Sequence, residues 1–196
     1  TLRGPTRVVI EEKRPVPLEH HYLVGRDLHP MHVEQDGQLT PNPYVVSLDR
    51  QEVRYKTYYR RGSGTAQHQR IPRPREGHRR VYIPRREDVV EVLAEQGLLP
   101  AIYFVFSRAG CDQAVDQSVA AGLRLTNASE RSQIRRIADA HTEALGDGDL
   151  DVLGYDTWLS GLEAGFAAHP AGMVPPMKEA VEEAFAAGLL KVVFAT

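Results

Sequence analysis

The sequence predicts an α/β fold, a parallel sheet flanked by helices, and three observations carry that reading. Residues 101–106 (Ala-Ile-Tyr-Phe-Val-Phe) are six apolar residues in a row without alternation, the pattern of a strand buried on both faces of a parallel sheet. Residues 190–195 (Leu-Lys-Val-Val-Phe-Ala) form a second buried strand. Between the two, strand-like and helix-like stretches alternate, as strand–helix–strand units require.

Composition bounds the answer. A chain of 196 residues buries one ordinary core, and 42% hydrophobic with 26% charged residues is the balance of a globular domain. No apolar run approaches the roughly 18 residues of a membrane span and no basic-then-apolar leader precedes the body, so no membrane partner and a cytoplasmic setting are expected. The single cysteine, Cys111, excludes an internal disulfide and a Cys-rich zinc site, and reads as a small buried hydrophobe. His20, His21, His29 and His32 lack carboxylate or cysteine company at ligand spacing, so no metal site is expected. The charge is uneven. From position 50 to 86 twelve Arg or Lys residues face only Glu52 and Glu76, a local +10 in a chain whose total is −2.

Along the chain, residues 6–11 and 18–24 read as short strands, separated by Arg14-Pro15-Val16-Pro17, whose prolines make a stiff connector. From Gly25 to about Arg86 no helical or strand period holds, and Gly, Pro, Gln and Arg dominate residues 60–80, so this stretch is expected to be an irregular, mobile insertion. A helix begins near Glu87, with Val89, Val90 and Leu93 at helical spacing, Glu87 and Asp88 suited to its positive start, and Gly97 as its C-terminal cap. After the strand at 101–106 a helix buries Cys111, Ala114, Val115 and Val119 and ends near Gly122; a further helix spans 129–145. Residues 166–169 read as a strand. Pro175 and Pro176 then sit where the first turn of a helix tolerates proline, and Met177, Val181, Ala184 and Phe185 face inward up to Gly188.

In open parallel sheets ligands bind beyond the carboxyl ends of the strands. That nominates three loops, at 107–111, 169–174 and 196 onward, carrying Ser107, Arg108, His169, Gly172 and Thr196, all able to meet phosphates. His169 also fits a partly buried histidine bonded to a carbonyl. The basic stretch, with Arg60, Arg61, Arg79 and Arg80 among its arginines and Tyr55, Tyr58, Tyr59 and Tyr82 interleaved, offers charge and stacking faces to RNA; it equally fits a solubilising segment or one that meets an acidic surface.

The same loops carry a pattern. Phe104-Val105-Phe106-Ser107-Arg108-Ala109-Gly110-Cys111-Asp112 resembles motif IV of the Ski-type group of superfamily-two DExH-box helicases, the superkiller and exosome-cofactor relatives, above all their actinobacterial members. Ala168-His169-Pro170-Ala171-Gly172-Met173 is similar to the group's following Ala-His-His-Ala-Gly-Met motif, and Lys191-Val192-Val193-Phe194-Ala195-Thr196 looks like the first half of motif V. Arg14-Pro15-Val16-Pro17-Leu18 resembles the group's approach to its second RecA-like domain. The resemblance covers residues 1–24 and 87–196 in order. It divides the chain into a linker (1–17), the start of the second RecA-like domain (18–49), a basic insertion (50–86) and the rest of that domain (87–196), cut within motif V.

The resemblance implies a parent enzyme that hydrolyses ATP with Mg2+ and moves 3′ to 5′ along single-stranded RNA, gripping its backbone between two RecA-like domains. Ser107, Arg108, His169, Gly172 and Thr196 then lie on the nucleic-acid track. The implied partners are RNA, the first RecA-like domain of the same chain, and RNA-degradation machinery. Two departures stand out: Pro170 replaces the second histidine, and neither a Gly-x-x-x-x-Gly-Lys-Ser/Thr loop nor an Asp-Glu-x-His run is present. This stretch alone is therefore expected to bind no ATP or Mg2+, to hold no catalytic residue and to be inactive. Two alternatives remain open: a non-catalytic nucleic-acid-binding adaptor built on a RecA-like half, and a related DNA helicase.

Overall fold

A computed structural model of the chain describes residues 16–50 and 84–196; the side chains of Asp49 and Arg50 fall outside that description. The expected strand at 6–11 and the arginines of the basic stretch at 60, 61, 79 and 80 lie outside the described residues. The chain divides into two compact units, 1–83 and 84–196.

The first unit holds two antiparallel hairpins. Strands β1 (His21–Val24) and β2 (Asp27–Pro30) pair through a turn at Gly25, whose φ of 65° suits glycine. Strands β3 (His32–Gln35) and β4 (Gln38–Pro41) pair through Asp36-Gly37, both at positive φ. That is the two-residue hairpin turn that Asp-Gly favours. Helix α1 (Pro43–Arg50) follows, its first turn held by the Asn42 side chain, which accepts from the Tyr44 N–H at 3.0 Å and donates to the Pro30 carbonyl at 2.8 Å. The expectation of irregular chain from Gly25 onward is thus corrected for residues 27–50. These strands have four residues each and carry many polar side chains, so no apolar period marks them, and only the Asp-Gly turn announces them.

The second unit runs α2 (Arg86–Glu95), β5 (Ala101–Phe104), α3 (Arg108–Ala120), α4 (Ala128–Thr142), α5 (Asp147–Leu153), α6 (Tyr155–Glu163), β6 (Phe166–His169), α7 (Pro175–Ala186) and β7 (Val192–Ala195). The three strands are parallel in the order β5-β7-β6. Side chains alternate across β7. Val192 and Phe194 join Phe166, Cys111, Ala114 and Val90 on the α2/α3 face, while Val193 joins Ala167, Leu162, Ile134 and Val181 beneath α4, α6 and α7. Such helix layers on both faces of a parallel sheet are the architecture expected of part of a RecA-like domain.

One expectation for the sheet fails. The strand at 101–106 is not buried on both faces: Ile102 is 54% exposed and Phe104 68% exposed, because α4, α6 and α7 cover β6 and β7 and leave this face of β5 open. The twin helices α5 and α6 also escape the sequence reading. Gly154, at φ 68°, breaks what would otherwise be one helix into two short pieces.

Candidate nucleic-acid interface

The carboxyl ends of the parallel strands are Phe104, His169 and Ala195, and the loops that leave them meet. Ser107 is the N-cap of α3: its backbone is extended, and its hydroxyl accepts from the Gly110 N–H at 3.2 Å. The hydroxyl hydrogen stays available to donate. Arg108, the first residue of α3, sends its guanidinium over to the β6–α7 loop, where Nη1 lies 3.3 Å from the place a Cβ on Gly172 would take. Gly172 has φ 92°, so the loop needs glycine for its backbone as well as for room. The Ala171 N–H donates to the Thr196 hydroxyl at 3.2 Å, tying this loop to the end of β7.

Ser107, Arg108, Gly172 and Thr196 are thereby gathered at one end of the sheet. His169 faces a different partner. Its Nε2 lies 3.1 Å from a Glu182 oxygen on α7, and the Lys178 ammonium is 3.7 Å from the same oxygen. The His169 hydrogen bond, chiefly, holds the Glu182 carboxyl below the usual carboxylate range.

Beside this cluster lies a cavity of about 630 Å³ that the sequence reading missed. Its walls include Arg108, Asp112 and Asp116 of α3, Trp158 of α6, and Met173 and Met177. Burial, then the neighbouring Asp116, push the Asp112 carboxyl above its ordinary range. The signal was present in the sequence: positions 108, 112 and 116 recur every four residues and so share one helix face.

Three donor types, two hydroxyls, a guanidinium and loop amides, converge here. Such a set holds phosphates.

No family model matches the chain. Similar curated proteins share its whole length. A probable helicase HelY of Mycobacterium tuberculosis is 45% identical over 198 residues, covering 100% of this chain and 21% of the relative. In sequence the chain is similar to one part of several helicases. The Superkiller complex protein 2 of Homo sapiens is 28% identical over 96% of the chain, and a DExH-box ATP-dependent RNA helicase of Arabidopsis thaliana, DExH11, is 27% identical over all of it. The chain spans about a fifth of the length of the mycobacterial relatives and 15% of the human one.

Among the described residues, Lys178 and Lys191 are each held by a glutamate, Glu182 and Glu130. No group of three His, Cys, Asp or Glu suited to a metal ion occurs among the described residues. Nor, among them, is any helix long and apolar enough to cross a membrane.

Proposed function

We propose that this chain is the backbone-gripping part of the second RecA-like domain of a Ski-type ATP-dependent RNA helicase, an enzyme that moves 3′ to 5′ along single-stranded RNA. The observation that carries the reading is the convergence of Arg108 on the Gly172 loop and of that loop on Thr196, at the carboxyl end of a parallel sheet. A guanidinium contributes charge, the Ser107 and Thr196 hydroxyls contribute donors, and Gly172 leaves the room in which the Arg108 guanidinium sits. None of these reads sequence, as translocation requires. His169 enters the track only by leaving Glu182. The ATP and Mg2+ machinery belongs to other parts of the parent, as does the first RecA-like domain against which this one closes. The human relative is named as a protein of a superkiller complex, which supports a place in a larger assembly, proposed here to be RNA-degradation machinery.

The test is binding of a fluorescent single-stranded RNA to the chain across a salt series, alongside Arg108→Ala and a deletion of 50–86. The reading expects affinity that falls with salt, and a flatter salt slope, by about one ion, in Arg108→Ala. Binding lost in the deletion but untouched by Arg108→Ala would move the grip to the basic segment and overturn the assignment to the sheet loops. Equal binding of DNA of the same sequence would favour the DNA-helicase alternative.

A further inference from the structure

The first unit carries an aromatic patch that the backbone grip does not use. Tyr22 on β1 and His29 on β2 are register partners in the first hairpin, and directly opposed residues of an antiparallel pair share one face. Tyr44, in the first turn of α1, brings its ring to the same histidine: the two centroids lie 4.5 Å apart, with the planes at 44°. Asn42 fixes that placement, because its side chain accepts from the Tyr44 N–H and donates to the carbonyl of Pro30, the residue after His29. The hairpin register and this pair of hydrogen bonds thus gather three rings from three elements.

Packing uses only part of these rings. Tyr22 is 49% exposed and Tyr44 38%, and the tilt between Tyr44 and His29 leaves ring face uncovered. Among the described residues neither phenol has a hydrogen-bond partner, so both can meet a ligand. The unit that bears the patch, residues 1–83, has fifteen Arg or Lys against nine Asp or Glu, a net +6 in a chain whose total is −2. That excess lies in its other residues and not in the hairpins, so the patch itself offers ring contact without charge. Open ring faces on a net-positive unit suit a polyanion whose uncharged parts are flat aromatic rings.

We propose that Tyr22, His29 and Tyr44 form a stacking platform for the bases of single-stranded RNA. The proposal rests on the helicase reading and adds to it a second contact, on the first unit and of a different chemistry. Every base has a π-face, so stacking on tyrosine tolerates any sequence and agrees with a grip that holds phosphates without reading bases. Proline-rich peptides also dock on exposed aromatic rings, but such a peptide brings no negative charge to a unit of net +6. RNA brings both the rings and the charge.

The experiment titrates the 196-residue chain into single-stranded RNA carrying 2-aminopurine, whose fluorescence reports stacking, and into an abasic ribose-phosphate oligomer of the same length. Tyr22→Leu and Tyr44→Leu keep apolar bulk and remove the π-face, whereas Tyr22→Phe and Tyr44→Phe keep it. Each Leu variant is expected to bind intact RNA at least about fivefold more weakly with an unchanged salt slope, and each Phe variant to stay within about twofold of the parent. The abasic oligomer is expected to bind all of them alike. Thermal melts show whether the Leu variants fold; if they do not, the parent decides, and equal affinity for intact and abasic oligomers overturns the proposal. It is also overturned if the Leu variants weaken both oligomers equally, the mark of a structural effect, or if no RNA binds at all. A proline-rich peptide that binds through Tyr22 where RNA does not would make the patch a peptide-docking face instead. Binding lost in Arg108→Ala and parental in the Leu variants removes the platform and leaves the backbone grip standing; the reverse pattern supports the platform and removes the grip.

Discussion

The Arg108 guanidinium occupies the space that a side chain on Gly172 would need, with Nη1 3.3 Å from that Cβ position. Two loops that leave different strands are thus locked together by an absence of atoms. Gly172→Ala disturbs both partners: the new methyl displaces Arg108, and φ 92° is a conformation alanine adopts at a cost of about 1–2 kcal/mol. The expected result is RNA affinity lowered about three- to tenfold, with a modest loss of melting temperature. A binding titration and a thermal melt on the same sample check both. Unchanged affinity would show that Arg108 does not grip from this position.

Glu182 holds His169, the histidine of the proposed nucleic-acid grip. Its carboxyl is held below the usual range by His169, so it stays ionised at neutral pH and keeps a negative charge 3.1 Å from Nε2. Glu182→Gln is expected to raise RNA affinity about twofold at low salt, an exposed-charge effect that fades as salt screens it. His169→Ala is expected to abolish that gain. A gain that persists in the double variant would mean that Glu182 acts by general repulsion rather than through His169.

Position on the chain explains which features were legible from residues alone. The strands at Phe166–His169 and Val192–Ala195 could be read because they are buried on both faces and therefore uniformly apolar. Helix α3 announced itself through the spacing of Cys111, Ala114, Val115 and Val119, while its Ser107 N-cap became clear only in the structure. Strand β5 misled, because its run is as apolar as β7's while the helices that cover β6 and β7 leave Phe104 exposed, and helix cover is not a property of local sequence. The site followed the same division. Arg108 and Gly172 were visible as loop residues after strands, but the Asp112–Trp158 slot needs α6 beside α3, a tertiary fact that neither helix encodes alone.

Gly161 decides how closely those two helices approach. In an exposed helix, glycine to alanine gains about 1 kcal/mol from helix propensity. Here the added Cβ would lie 2.7 Å from Val115 Cγ1, and a β-branched side chain in a helix has one favoured rotamer, so valine cannot swing aside. Overpacking wins, and Gly161→Ala is expected to destabilise by about 1–3 kcal/mol. Adding Val115→Ala removes the obstacle, so the double variant is expected to be more stable than Gly161→Ala alone. Chemical denaturation of Gly161→Ala, Val115→Ala and the double variant measures this, and strict additivity would contradict the steric account.

Glu130 links a helix cap to the start of β7 and gives the fold a pH dependence with a definite sign. Its side chain accepts from the Asn127 N–H at 2.8 Å, completing a capping box with Asn127, and from the Lys191 ammonium at 2.8 Å. The Lys191 hydrogen bond, first, and then the Asn127 backbone lower its carboxyl below the ordinary 4.5. The folded state thus prefers the ionised form. That stabilisation is complete above the unfolded value near 4.5 and is lost as pH falls through the lower folded value. Glu130→Gln is expected to cost about 1 kcal/mol at pH 7, and the gap between it and the parent to close progressively below about pH 4.5. Denaturation midpoints for both proteins from pH 7 to pH 3 test it. A gap that widened on acidification would reverse the sign and remove Glu130 from the account of how α4 is anchored to the sheet.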